Sequence, residues 1–144
     1  MHIKTLKISS LDKWCNRDDI ILHAAFQSLV DYIEKDHAGV EINWGSSPEM
    51  KKVWKEINSL YTWWTKVRPY RKNPLDDKSI EFPPIEFEPI EEGSKFERKV
   101  PYDKKKYKKY TEAIKKGLKL EDQWYKEDQK NLHRLVDIRL YLWT

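Results

Sequence analysis

The 144-residue sequence predicts a mainly α fold: a three- to four-helix bundle with an aromatic-rich core and an extended proline-rich acidic arm. Three observations point there. Apolar residues recur at helical spacing in several stretches, each with recognisable start or stop residues. Seven Trp and eight Tyr supply large buried areas from few positions. Five of the seven prolines fall within residues 73–101, beside a series of glutamates, where neither a helix nor a central strand is tolerated.

Taken in order, residues 1–16 mix Ile3, Leu6, Ile8 and Leu11 with polar residues and end at Trp14, which reads as an extended arm or short strand. Asp18-Asp19 then starts a helix, with both carboxylates at the positive end of its dipole. Leu22, Ala25, Phe26, Leu29, Val30 and Ile33 give it one apolar face, and it should span about 18–37 and stop near Gly39. Ser47-Pro48-Glu49 opens the clearest helix, about 48–68: a capping hydroxyl, a proline at the first helical position and an acid in the first turn. Met50, Val53, Trp54, Ile57, Leu60, Tyr61 and Trp64 share its face, and Pro69 ends it.

In the arm 73–101, Ile85-Glu86-Phe87-Glu88 alternates as a strand would, and the prolines confine it to an edge. Phe82, Ile85, Phe87 and Ile90 would anchor it over the helices or reach a neighbouring subunit. The sign of charge flips at Tyr102–Tyr110, where Lys104, Lys105, Lys106, Lys108 and Lys109 interleave with tyrosines. Two further helices follow, about 104–117 and 120–142, separated at Gly117. The whole, residues 1–144, reads as one helical domain.

Composition narrows the class. Charged residues make up 36% and the net charge is only +4, so uneven placement of charge says more than its sum. A single Cys15 excludes an intrachain disulfide framework, the N-terminus has no apolar signal segment, and no apolar run approaches bilayer length. A cytoplasmic protein with no membrane partner is expected.

The window Leu60–Arg71 is the richest in candidate chemistry. Trp64 lies on the apolar stripe and belongs to the core; Trp63, about 100° round the helix, belongs to an interface or a site wall. Arg68 and Arg71 either cap the carbonyls at the helix end or hold an anion, beside Tyr61 and Tyr70. On the last helix Asp128 and Arg139 fall on the apolar face, where charges must be paired or functional. A buried Asp128–Arg139 pair, pairing to Asp19 or Asp31, and an anion pocket lined by Arg134 and Arg139 with Trp143 as lid are the alternatives. The Lys/Tyr run suits single-stranded nucleic acid, or is a solvated lysine face with its tyrosines turned inward. His23 and His37 lie too far apart in sequence to share a metal within one helix, and no nucleophile, phosphate-loop or dinucleotide motif is present. No metal, no cofactor and no catalysis are expected.

The C-terminal stretch Tyr125–Thr144 resembles the end of an uncharacterised family of small tailed-bacteriophage proteins. The carriers are Tyr125, Glu127-Asp128, Leu132-x-Arg134-Leu135, Ile138-Arg139 and Leu142-Trp143-Thr144. Asp19–Glu34, and Leu60-Tyr61-x-Trp63-Trp64 with Arg68-Pro69-x-Arg71, are similar as well, so that the resemblance covers about half the chain; the arm and the lysine run lie outside it. It implies a phage gene expressed in the host cytoplasm and carries no catalytic residues.

These readings lead to a non-enzymatic phage protein that sequesters a nucleotide-like small molecule, such as a host antiviral immune signal. Tyr61, Trp63, Arg68, Tyr70, Arg71, Arg134, Arg139 and Trp143 would form the site, in a homo-oligomer. The alternatives are a nucleic-acid-binding protein using the Lys/Tyr run and a protein-interaction factor using the Trp-rich face.

Overall fold

The computed structural model of the protein describes residues 17–93 and 95–142. The expected N-terminal arm with Cys15, and Trp143, lie outside the described residues. The chain is mainly helical, and its contacts divide it into two units, residues 17–71 with 125–142 and Lys72–Trp124.

In the first unit, α1 (Arg17–Glu34) carries Asp18 and Asp19 in its first turn and buries Leu22, Phe26, Leu29 and Tyr32, one face of a 3.6-residue period. It stops earlier than Gly39. His37 makes the left-handed turn that redirects the chain, with φ of 50°, and a short α2 (Ala38–Glu41) follows. Gly39 has a different task. A Cβ there would lie 3.1 and 3.2 Å from the edge of the Trp54 indole, which stacks on Trp44 at 4.9 Å. Trp44 itself is fixed by its indole N–H, which donates to the Ala38 carbonyl at 2.7 Å.

Helix α3 (Pro48–Thr62) begins as its residues dictate. The Ser47 hydroxyl accepts the Met50 N–H at 3.1 Å, and Pro48 occupies the first turn. Val53, Ile57 and Leu60 bury its inner face, and Phe26, Leu29, Ile57 and Leu60 are shielded almost completely. Leu135 and Ile138 join the same cluster from the C-terminal stretch, which is pinned by the Tyr32 hydroxyl donating to the Tyr141 carbonyl at 2.9 Å.

The two C-terminal helices expected from the sequence are one. Helix α4 (Lys108–Asp137) runs for 30 residues without a break at Gly117. That glycine is buried, and a Cβ on it would sit 3.3 Å from Asn73 Oδ1. Asn73 caps the following Pro74–Asp76 turn and donates its amide to Glu121 at 3.1 Å. A glycine in mid-helix is here a seat for a packed turn rather than a hinge, and its propensity cost of about 1 kcal/mol is offset by that contact.

Within the second unit the arm forms a two-stranded antiparallel hairpin, β1 (Phe87–Pro89) with β2 (Glu97–Lys99), pairing Phe87 with Lys99, Glu88 with Arg98 and Pro89 with Glu97. The strand expected at residues 85–88 therefore forms two residues later. Phe82, Ile85, Phe87 and Ile90, expected as anchors, are all more than half exposed, although Phe82 meets the Tyr110 ring at 5.2 Å. Among the described residues no helix is long and apolar enough to cross a membrane.

Because Trp54 is held by Trp44, it cannot swing away from a new methyl group at residue 39. Gly39→Ala should lower stability by about 1–3 kcal/mol, read by urea denaturation followed through tryptophan fluorescence.

Candidate functional site

The end of α3 is built differently from the helix before it. Pro69 offers no N–H to continue the ladder, and the chain accommodates this upstream by widening. Trp63–Val67 is a π-turn closed by the Arg68 N–H donating to the Trp63 carbonyl, and Arg68–Tyr70 tightens into a 3₁₀ turn. The Thr65 hydroxyl donates to the Tyr61 carbonyl at 2.8 Å, meeting one of the acceptors at this widened end.

This geometry changes the expected role of Trp63 and leaves Trp64 packed against the core. Trp63, read as an interface or site wall, is 7% exposed, whereas Trp64, read as core, is only half-buried. Both lie on Phe26 of α1: Trp64 stacks on it at 4.6 Å and Trp63 tilts against it at 5.2 Å. An indole is long enough to reach across the edge of the apolar stripe when a partner ring waits there. The Trp63 indole N–H is buried without a hydrogen-bond acceptor, which costs free energy and so speaks for packing as the reason for its position.

The two arginines that follow are spoken for. Arg68 forks onto Asp128 through Nε and Nη2 at 3.2 and 3.0 Å, lies 3.9 Å from Asp19, and covers the Trp64 ring at 4.9 Å. Arg71 reaches Asp128 at 2.7 Å and Glu127 at 2.6 Å and lies over Trp63 at 5.6 Å. Burial alone would weaken the hold of Arg71 on its proton, but the hydrogen bonds it donates to Asp128 and Glu127 outweigh it and raise its pKa. The expected Asp128–Arg139 pair does not form: Asp128 belongs to Arg68 and Arg71, and Arg139 donates to the Val136 carbonyl at 2.8 Å. Two guanidiniums thus face three carboxylates, an arrangement that repels an incoming anion unless a carboxylate is displaced.

The other expected site residues are dispersed. Arg134 forks onto Glu56, with Nη2 to Oε2 at 3.0 Å, and donates to buried Asn131 at 2.7 Å. The Tyr61 hydroxyl donates to Glu34 at 2.7 Å, and Tyr70 is 74% exposed. Glu56 and Glu34 escaped the sequence reading because each lies beside the apolar stripe, and Asn131 because it is an amide on the buried face, four and seven residues before Leu135 and Ile138.

A second surface presents itself in the Lys72–Trp124 unit. Eight lysines lie between residues 104 and 119 against one acid, Glu112, and all eight are exposed. Among the described residues, only Lys108 of these eight has a carboxylate at ion-pair distance, Glu112 at 3.9 Å. Lys108, Lys115 and Lys119 fall within about 40° of one another on α4 and span about 16 Å. The interleaved tyrosines turn inward: Tyr102 meets Tyr107 at 6.2 Å and Tyr110 at 5.4 Å. Beside this row is an open cavity of about 610 Å³ lined by Lys72, Asn73, Pro74, Asp76, Asp77 and Lys116, whose charges are of both signs. Among the described residues no three His, Cys, Asp or Glu side chains converge to hold a metal ion. Comparison of the chain with protein-family models, curated proteins and solved structures finds no match.

Asp128, at 16% side-chain exposure, neutralises two guanidiniums that are themselves mostly shielded. Asp128→Ala should therefore destabilise the fold by roughly 3 kcal/mol, measured as a lower urea midpoint at unchanged slope. The hydrogen bond from Arg134 holds the Glu56 carboxyl below its ordinary pKa. Its contribution to stability is present above the unfolded-state value and is lost as pH falls through the depressed folded value. Melting temperatures recorded from neutral pH into the acid range should show a shallower acid loss for Glu56→Gln than for the unaltered chain.

Proposed function

We propose that this is a phage-encoded, non-enzymatic binding protein whose ligand is a nucleic acid held by its phosphates on the lysine face of α4. In this reading the helices of the first unit form a bundle around an aromatic-rich core and act as scaffold. One observation carries the proposal: eight exposed lysines in a stretch of sixteen residues that leads into α4, seven of them with no carboxylate at ion-pair distance among the described residues. Cations left unpaired in a row are free to replace counterions along a phosphate backbone. The inward turn of Tyr102, Tyr107 and Tyr110 argues for backbone contact over base stacking, hence for little sequence preference.

A second reading, sequestration of a nucleotide-like small molecule such as a host immune signal, has its own support. Arg68 lies on the Trp64 face with 29% of its side chain exposed, next to exposed Tyr70. A ligand there would have to exchange its phosphate for the Asp128 carboxylate.

Fluorescence anisotropy with a labelled single-stranded oligonucleotide, titrated at several salt concentrations, tests the first reading. Replacing Lys108, Lys115 and Lys119 together by Glu should weaken binding and reduce the log–log salt slope by about 2. Binding that ignores both salt and these substitutions would remove the proposal. For the second reading, a panel of linear and cyclic nucleotides should raise the melting temperature of the unaltered chain but not of Arg68→Ala.

A further inference from the structure

Among the described residues the hairpin has no third strand. Two strands alone are marginal in water, and a third strand or a covering helix is the usual remedy. Here Phe87 is 60% and Phe96 76% exposed, with Ile85 and Ile90 also open to solvent.

The ladder shows which edge can accept a strand. Val100 N–H donates to the Glu86 carbonyl at 2.8 Å and Ile90 N–H to the Phe96 carbonyl at 3.0 Å. In an antiparallel pair the bonded residues alternate, so 96, 98 and 100 turn their backbone groups toward β1 while Glu97 and Lys99 turn theirs outward. The opposite edge is formed by Phe87 and Pro89, and Pro89 has no N–H to offer. The open edge of β2 has both donors and both acceptors.

We propose that a second copy of this chain docks on that edge, β2 against β2, antiparallel and centred on Arg98. The choice of occupant follows from charge. With Arg98 opposite its counterpart, Glu97 of each copy lies across from Lys99 of the other, and these are the residues whose backbone groups face outward. Two reciprocal backbone pairs and two reciprocal Glu–Lys pairs form at once, the self-complementarity that a two-fold axis demands. The two central arginines project from the other face, where each is drawn back to its own Glu88, with Nε to Oε1 at 2.7 Å. The product is a four-stranded sheet with no proline at its central seam. This inference does not rest on the nucleic-acid reading, since it uses neither α4 nor its lysines.

Sedimentation velocity on the full chain over a concentration series tests it. The unaltered protein should reach a dimer. Glu97→Lys and Lys99→Glu, each placing like charges across both pairs, should each raise the dissociation constant about tenfold. The double variant E97K/K99E, which restores opposite signs, should recover the dimer. Far-ultraviolet circular dichroism establishes that each variant keeps its helix content. A chain that stays monomeric throughout would overturn the proposal. So would a dimer that Glu97→Lys leaves intact, or a double variant as weak as the single ones.

Discussion

Asp128 is the charge around which the first unit is arranged. It sits on α4 two turns before Leu135, which enters the core, and it is only 16% exposed. A carboxylate so placed requires cationic partners, and both come from the turn that ends α3. That requirement explains the sequence order there. Pro69 breaks the ladder, the π-turn absorbs the break, and Arg68 and Arg71 on either side of the proline reach the same acid. Each guanidinium then covers an indole that packs on Phe26, so one ion-pair cluster ties α1, the end of α3 and the last part of α4.

The polar groups of this unit are largely matched by local partners. Arg134 has Glu56 and Asn131, Tyr61 has Glu34, Tyr32 has the Tyr141 carbonyl, and the Tyr141 hydroxyl has Glu49 at 2.6 Å. Such pairs hold a structure in register and have no spare capacity for a ligand. The Lys72–Trp124 unit differs in kind: among the described residues most of its lysines between 104 and 119 have no carboxylate at ion-pair distance, apolar side chains are open to water and the hairpin has only two strands.

The helices were legible because their signals are local. Ser47-Pro48-Glu49 and the Asp18-Asp19 pair mark starts by satisfying orphan backbone groups, and apolar spacing then names the buried face. What was not legible depends on partners distant in sequence. Gly117 reads as a helix breaker until Asn73, over forty residues away, is found occupying the space of its missing side chain. The burial of Trp63 beside Trp64 depends on where Phe26 lies, and the π-turn shifts phase in a way that no 3.6-residue pattern contains. Likewise the prediction that Asp128 needs a cation was sound in its physics, while the choice of Arg139 was wrong, because spacing on one helix says nothing about which other element supplies the charge.

That distinction bears on how an arginine-rich, tryptophan-rich window should be weighed. A guanidinium fork fits a carboxylate as well as it fits a phosphate, and its flat face fits an indole as well as a base. The same residues therefore serve an internal ion pair and a nucleotide site equally well, and composition cannot separate them. The deciding quantity is the number of carboxylates within reach. With Asp19, Glu127 and Asp128 around Arg68 and Arg71, the local balance is already negative. Lysine is a poorer structural partner, strongly hydrated and on a flexible stem, so a row of lysines with little acid beside it has no comparable internal use. On this chain the residues with the more specific chemistry are engaged in internal pairs, and the less specific ones lie exposed.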